Sequence, residues 1–92
     1  MIQSFKHEGL RRFFESGDIS KINPNHARRL RVILTALQAA IDVRNLDAPG
    51  FDLHRLTGDK KDFWAVNVSG NWRVIFRFEN GDAYDVDDLD YH

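Results

Sequence analysis

The spacing of the apolar residues changes near the middle of the chain, and this change restricts the possible fold more than any other feature. Before position 50 the apolar residues recur every three or four positions, as on one face of a helix; from Phe51 onward they recur every second position, as on one face of a strand. A chain of 92 residues can enclose one small hydrophobic core. We therefore expect a single α+β domain over residues 1–92, with helices packed on one face of an antiparallel sheet.

The first helix follows a short apolar segment, Ile2–Phe5, which suits a strand. Leu10, Phe13 and Phe14 would share one helix face, because they stand at positions i, i+3 and i+4. Gly17 follows where a helix commonly ends. The sequence therefore predicts a strand and then a helix in the first 17 residues.

The second helix has the stronger signals. Asn23 is suited to the N-cap and Pro24 to the first helical position. The residues Asp-Ala-Pro-Gly at 47–50 then interrupt helical structure. The spacing predicts that the buried face of this helix consists of Ala27, Leu30, Leu34, Leu37 and Ile41.

The second half predicts a meander of three or four antiparallel strands. Leu53–Leu56 is a short candidate strand, and a polar loop follows at 58–61. Phe63–Val68 and Trp72–Phe78 form two longer strands joined by a tight turn at 69–71. In the second of these, one face carries Trp72, Val74, Phe76 and Phe78, and the other carries Arg73, Ile75 and Arg77.

The turn around Asn80-Gly81 sets the register of the last strand. A two-residue loop would place Asp85 and Asp87 opposite apolar residues of the preceding strand and bury two carboxylates. Burying an unpaired carboxylate costs several kcal/mol, so a three-residue loop over 79–81 is favoured. This loop predicts the following pairs: Phe76 with Tyr84, Val74 with Val86, and Arg73 with Asp87 in an ion pair.

The composition excludes several classes of protein. The chain has no cysteine, and its four histidines all lie more than four positions apart, so we expect no metal and no other cofactor. Motifs of phosphate-binding loops and of hydrolase nucleophiles are missing. The longest apolar run, at 63–66, has four residues, and the first residues do not resemble a secretory signal. We expect a soluble, cytoplasmic protein without a membrane partner.

The formal net charge of −1 conceals two oppositely charged halves. Residues 1–44 contain eight Lys and Arg against four acids, a balance of +4, whereas residues 45–92 contain five against ten, a balance of −5. A basic half suits an anionic partner such as RNA, while the acidic half would repel it. We therefore do not expect binding of free nucleic acid over the whole surface.

The last three residues, Asp90, Tyr91 and His92, combine a carboxylate, an aromatic ring and an imidazole. Physical chemistry alone favours a frayed, disordered end. If ordered, such a set suits metal-free cleavage of RNA. A base takes the proton of a 2′-hydroxyl, the oxygen attacks the adjacent phosphate, and an acid protonates the departing 5′-oxygen.

Five segments carry a resemblance to a known family: Met1–Phe5, Leu53–Gly58, Asn71–Val74, Gly81–Tyr84 and Asp90–His92. On these residues the whole chain resembles the HigB-type toxins of the RelE/ParE superfamily. The resemblance implies the RelE/ParE-like microbial ribonuclease fold. It also implies a toxin of a type II toxin–antitoxin system, an endonuclease that cleaves messenger RNA on the ribosome and so inhibits translation.

The resemblance implies partners as well. These are a HigA-type antitoxin with a helix-turn-helix domain, the 70S ribosome with its mRNA, and operator DNA contacted only through the antitoxin. With this resemblance, the basic residues of the helical half would meet ribosomal RNA; without it, an ordinary solvent-exposed helix face is the preferred interpretation. This set consists of Arg11, Arg12, Arg28, Arg29 and Arg31.

The catalytic roles come from matching the motifs by position. His54 and His92 would be the acid–base pair, with no assignment of which is acid and which is base. Asp90 would orient an imidazole or accept the 2′-hydroxyl proton, and Tyr91 would position the scissile nucleotide. A half-buried strand residue is the alternative interpretation of His54.

Arg73 would neutralise the phosphate, and the cross-strand ion pair with Asp87 is its alternative role. Where some members of the family have a lysine shortly after the histidine, this chain has Thr57, which carries no charge. Lys60 or Lys61, in the same loop, would then have to reach the phosphate, or Arg73 would act alone.

Two other functions remain open at this point. A ParE-like toxin with the same fold would poison DNA gyrase by protein contact and would need no acid–base residues. An inactive relative would only bind the antitoxin, and Thr57 is compatible with that alternative.

Overall fold

A computed structural model describes residues 1–91, and these contain two α-helices and one four-stranded antiparallel sheet with its strands in chain order. Within these residues no helix is long and apolar enough to cross a bilayer. The α+β class predicted from the sequence is confirmed, with four strands in the sheet. The elements are α1 (Glu8–Ser16), α2 (Ala27–Ala39), β1 (His54–Arg55), β2 (Phe63–Ser69), β3 (Trp72–Glu79) and β4 (Asp82–Asp90).

Helix α1 is capped at both ends. The Nδ1 atom of His7 accepts a hydrogen bond from the backbone N–H of Leu10 at 2.9 Å. Gly17 follows the helix with a φ of 77°, and its N–H donates to the carbonyl oxygen of Phe13 at 2.9 Å. Leu10 and Phe13 are buried, whereas Phe14 is 36% exposed. The predicted helix and its end at Gly17 are confirmed.

Helix α2 begins as predicted but ends earlier. Asn23 caps a single 3₁₀ turn that starts at Pro24 and leads into the helix. The helix ends at Ala39, and Ile41, predicted on its buried face, is 81% exposed. That prediction was wrong because the backbone N–H of Ile41 donates a hydrogen bond to the side-chain oxygen of Asn45. Asn45 belongs to a separate 3₁₀ turn that follows the helix. The buried residues of α2 are Leu30, Ile33, Leu34 and Leu37.

The N-terminal segment lies beside β4 rather than forming a regular strand. Ile2 bridges to Ala83 and Phe5 bridges to Val86, both in the parallel direction. These two bridges are isolated because the conformation of β4 is irregular between them, at Asp85. In place of the predicted strand at Ile2–Phe5, the segment therefore forms only two isolated β-bridges beside β4.

The two faces of the sheet have different surroundings. One face, which we call the helix face, packs against α1 and α2 and forms the hydrophobic core. The alternation predicted for β3 is confirmed, since Val74 and Phe76 lie in this core with Trp72 and Phe78 packed against it. The opposite face carries Arg73, Ile75 and Arg77, and we call it the open face.

The predicted register of β4 was wrong. A two-residue turn, Asn80-Gly81, joins β3 and β4, with φ values of 53° and 83° as a type I′ turn requires. A β-bulge follows at Asp85, where φ is 54°, so that Asp85 and Val86 together stand opposite Phe76. Beyond the bulge the observed pairs are Ile75 with Asp87, Val74 with Asp88, Arg73 with Leu89, and Trp72 with Asp90.

The bulge explains why the sequence argument failed. Both ladders considered from the sequence were uninterrupted, and neither contained an extra residue. The bulge keeps Val86 in the core, as the three-residue loop was meant to do, while retaining the favourable Asn-Gly turn. It also places Asp88, which was not one of the two carboxylates weighed in the prediction, opposite Val74 on the helix face, where it is buried.

Candidate active site

A row of four residues crosses the open face, one from each strand. His54 pairs with Ala65, Ala65 pairs with Ile75, and Ile75 pairs with Asp87. Directly paired residues of an antiparallel sheet project to the same side, so these four side chains share the open face. Ala65 and Ile75 are 0% and 1% exposed and form an apolar floor between His54 and Asp87.

His54 is held in one tautomer by its own backbone. Its Nδ1 lies 2.8 Å from the carbonyl oxygen of Asp52. Because a carbonyl only accepts, the ring proton must lie on Nδ1, which leaves the lone pair of a neutral ring on Nε2. His54 is exposed, so the alternative of a half-buried strand histidine is wrong. The arrangement suits a group that accepts a proton at Nε2.

Arg73 lies on the open face two positions along β3 from Ile75. Its Nη1 donates to the side-chain oxygen of Asn67 at 2.7 Å and to the carbonyl oxygens of Gly70 and Trp72 at 2.7 and 3.0 Å. All the hydrogen bonds of this guanidinium to residues 1–91 use Nη1. Its Nε and Nη2 groups can therefore donate to a bound anion while Nη1 keeps the side chain in place.

Arg29 of α2 supports the residue that anchors Arg73. Its guanidinium donates to the carbonyl oxygen of Asn67 at 3.0 Å and to that of Gly50 at 2.5 Å. It also lies over the ring of Phe51, 5.0 Å from the centroid. Arg29, for which a ribosome contact was predicted, joins the helix layer to β2 and fixes the main chain at Asn67.

The end of the chain is ordered as far as Tyr91. Asp90 is the last residue of β4 and pairs with Trp72, and the backbone N–H of Tyr91 donates to the carbonyl oxygen of Asn71 at 2.8 Å. The expectation of a frayed end is therefore wrong for these two residues. By its register Asp90 belongs to the helix face, whereas position 91 follows on the side of Arg73. His92, the second predicted histidine, lies outside the described residues.

The two candidate lysines lie near the other end of β2. The Nζ of Lys60 stands 5.4 Å from the ring centroid of Phe63, and Phe63 is two positions from Ala65 on the open face. The carbonyl oxygen of Lys61 accepts a hydrogen bond from Arg55, and its side chain is exposed. Asn67 anchors Arg73 on the opposite side of Ala65, so Lys60 and Arg73 flank the row of His54 from opposite sides.

The remaining basic residues of the helices are separated from His54 by the thickness of the sheet. Arg11 and Arg12 of α1 form ion pairs with Glu8, and the hydrogen bond from Arg11 lowers the pKa of Glu8. Arg28 and Arg31 of α2 are exposed. These four arginines belong to the layer that covers the helix face, and Arg12 also lines a cleft that extends to Asp87 of β4.

Two adjacent carboxylates, those of Asp87 and Asp88, were not anticipated as site residues. Asp87 is 8% exposed and stands opposite Ile75, so the predicted ion pair with Arg73 is wrong. The Oδ1 of Asp87 accepts the backbone N–H of Asp88 at 2.9 Å. Asp88 is 7% exposed, and burial together with the charge of Asp87 raises the pKa of Asp88 to about 7. The sequence signal that could have placed these two carboxylates was the Asn80-Gly81 pair, which favours a two-residue turn.

No group of three His, Asp or Glu side chains among residues 1–91 is arranged to hold a metal ion.

Comparison with known proteins identifies the family. A family model described as "RelE-like toxin of type II toxin-antitoxin system HigB" matches residues 3–92. A curated protein, Endoribonuclease HigB of Proteus vulgaris, is 40% identical over 92 residues, which is 100% of both chains. The resemblance inferred from the sequence motifs is confirmed, and the chain belongs to the HigB family of RelE-like toxins of type II toxin–antitoxin systems.

Proposed function

We propose that this toxin is an endoribonuclease that cleaves messenger RNA on the ribosome and thereby inhibits translation. Membership of the HigB family and the full-length relative named as an endoribonuclease support the activity class. The observation that carries the proposal is the position of His54 and Arg73 on one open face, beside a floor of Ala65 and Ile75. A proton acceptor and a phosphate-binding cation are the two groups that cleavage by a 2′-hydroxyl requires.

His54 is the general base in this proposal. Its Nε2 takes the proton of the 2′-hydroxyl, and the oxygen forms a bond to the adjacent phosphorus atom. The bond from phosphorus to the 5′-oxygen breaks, and that oxygen takes a proton from His92, which acts as the acid. The products are a 2′,3′-cyclic phosphate and a 5′-hydroxyl. The tautomer of His54, fixed by the carbonyl of Asp52, supports this direction of proton transfer.

Arg73 and Lys60 offset the charge that develops on the phosphate. Arg73 is anchored through Nη1 and presents Nε and Nη2, so little side-chain reorganisation is needed during the reaction. Lys60 reaches the phosphate from the other side of the row and, with Lys61, replaces the charge that Thr57 cannot supply. Tyr91 stacks on the scissile nucleotide, and Asp90 orients the imidazole of His92.

A toxin of a type II system has an antitoxin partner. We propose a HigA-type antitoxin with a helix-turn-helix domain, and contact with operator DNA only through it, in the cytoplasm. The 70S ribosome presents the mRNA to the open face, which supplies the alignment that a protein this small does not provide alone. Four exposed or partly exposed arginines of the helix layer contact ribosomal RNA in this arrangement: Arg11, Arg12, Arg28 and Arg31.

The test is expression without antitoxin, with growth and the 5′ ends of messages as readouts. The wild-type protein should arrest growth and produce 5′ ends inside codons. His54→Gln and His92→Gln should each lower cleavage about 10²- to 10⁴-fold while leaving folding and antitoxin binding intact. Arg44→Gln removes an exposed cation far from the open face and serves as the control that retains full activity.

Three results would contradict the proposal. Intact messages together with DNA-damage signalling would identify a gyrase poison. Unchanged growth with the wild-type protein would identify an inactive relative. Full cleavage by the His54→Gln variant would remove the histidine from the mechanism.

A further inference from the structure

A cleft of about 520 Å³ opens between the start of α1 and the second half of β4. Its lining includes Lys6, Arg12, Lys21 and Asp87. Asp87 is also the last residue of the row that begins at His54 on the open face. The cleft therefore adjoins the candidate active site, and Asp87 belongs to both.

The cations of this cleft are not all neutralised by the protein. Glu8, the other acid in the lining, forms ion pairs with Arg11 and Arg12. Lys6 and Lys21 form no ion pair within 4.0 Å among residues 1–91. A backbone hydrogen bond lowers the pKa of Asp18, and the charge of Lys21 contributes more weakly to that lowering. Two ammonium groups are thus available for an anion, and a phosphate is the anion that the proposed substrate carries.

The wall formed by Lys21 depends on a glycine in α1. A Cβ atom at Gly9 would lie 2.4 Å from the Cβ of Lys21 and 2.7 Å from its carbonyl oxygen. Because glycine has no Cβ, the main chain of Lys21 packs directly on the start of the helix. This close approach holds one of the two free lysines in the cleft.

The carboxylate of Asp87 gives the cleft a second chemical character. The residue is more than nine-tenths buried, and within residues 1–91 one donor, the N–H of Asp88, reaches its Oδ1. A carboxylate has about four acceptor sites, so a buried one gains from further N–H donors. The exocyclic amino groups of adenine, cytosine and guanine are donors of this kind, whereas the one donor of uracil, N3–H, lies between two carbonyl oxygens that a carboxylate repels.

We propose that this cleft is a nucleotide subsite of the ribonuclease. In it Lys6 and Lys21 bind a backbone phosphate, and Asp87 accepts a hydrogen bond from the amino group of the base. This inference rests on the proposed function, because the ligand is a nucleotide of the RNA that the open face cleaves.

The position of the subsite follows from the sheet. His54 and Asp87 are separated by three strand spacings, about 14 Å at about 4.8 Å each. This exceeds one stacked base step of about 3.4 Å several times over. The cleft therefore holds a nucleotide on one side of the scissile one, more than one step away along the strand, and it discriminates against uracil at that position.

The experiment maps cleavage sites on ribosome-bound messages with purified toxin. With the wild-type protein, uracil should be depleted at one flanking position relative to the message pool. Asp87→Asn, whose side chain offers a donor as well as an acceptor, should abolish this depletion, a change of about tenfold in base preference. The double variant Lys6→Ala/Lys21→Ala should raise KM about tenfold and leave kcat unchanged. Asp47→Asn and Arg44→Gln, on exposed residues outside the cleft, are the matched controls.

The outcomes separate this inference from the proposed function. If the wild-type protein cleaves and both cleft variants keep its base preference and KM, the subsite is wrong and the ribonuclease assignment stands. If the wild-type protein does not cleave, the ribonuclease assignment itself fails. If the cleft variants lose antitoxin binding while cleavage is unaltered, the cleft binds the antitoxin and the nucleotide subsite is overturned. A melting curve for each variant confirms that it is folded.

Discussion

The helix face and the open face are built from alternate residues of the same strands, yet their polar groups have opposite surroundings. On the helix face, Val74 and Phe76 are fully buried, and Asp88 among them has an oxygen without a hydrogen-bond partner in the described chain. On the open face, Arg73 is anchored by three acceptors beside the apolar Ile75. The hydrophobic core therefore lies on one face and the proposed catalytic groups lie on the other, one residue apart along β3.

The largest expected effect tests this separation within β3. Arg73→Gln should lower cleavage about 100-fold, because it removes the cation that offsets charge on the phosphate, and should change the free energy of unfolding by less than about 1 kcal/mol. Val74→Ala, one position away on the helix face, should do the reverse and destabilise the fold by about 2 kcal/mol. Single-turnover cleavage and urea unfolding measure the two quantities. Equal loss of activity in both variants would contradict the separation.

The next effect concerns Asp88, a buried acid on the helix face whose Oδ1 has no hydrogen-bond partner among residues 1–91. The pKa of Asp88 in the folded protein, about 7, lies above its ordinary value, so the folded state binds the proton more tightly than the unfolded state. Stability should therefore fall as the pH rises from about 4 to about 7. Asp88→Asn should remove this dependence and stabilise the protein by about 2 kcal/mol at pH 8, with little change at pH 4. Urea unfolding at the two pH values is the measurement.

Asp85→Asn is the matched control for Asp88→Asn. The Asp85 carboxylate is partly exposed and accepts a hydrogen bond from Nε of Arg77 at 2.9 Å, and asparagine tolerates its left-handed backbone. Losing this pair should destabilise the protein by less than about 1 kcal/mol. A stabilisation as large as that of Asp88→Asn would mean that overall negative charge, and not burial, limits stability.

The smallest effect concerns the outer surface of the helix layer. The double variant Arg28→Gln/Arg31→Gln should weaken association with the ribosome by a few fold at low salt, and the difference should shrink as salt is raised. Stability should change by less than about 1 kcal/mol, because both residues are exposed and the loss is limited to the contact of the Arg31 guanidinium with the ring of Phe13. Binding assays across a salt series provide the measurement. If the double variant and the wild-type protein bound the ribosome equally at every salt concentration, these arginines would be ordinary solvent-exposed residues.

The elements that the sequence predicted correctly are those with strong local signals. Gly17 ended α1 and the Asn23-Pro24 pair opened the turn into α2, since each acts within a few residues of itself. Ile41 was misplaced because a competing local signal, the side chain of Asn45, was not considered. The register of β4 failed because a bulge at Asp85 has no marker in an apolar pattern of period two.

The site was only partly accessible from sequence. His54 and Arg73 came from motif resemblance, and the structure places them on one face. The role of Arg29 was missed, because its bond to the main chain of Asn67 joins residues 38 positions apart. The cleft was missed for the same reason, since its lysines and Asp87 come from opposite ends of the chain.

The bulge at Asp85 decides which residues at the end of β4 face which side. Without it, the two-residue turn would pair Asp88 with Arg73 and Leu89 with Trp72, so that an ion pair would form on one side and a leucine would enter the core. With it, Leu89 stands opposite Arg73 and Asp87 reaches the cleft. Insertion or deletion of one codon at this point would therefore exchange the two sides of the whole final segment, a larger change than any single replacement could make.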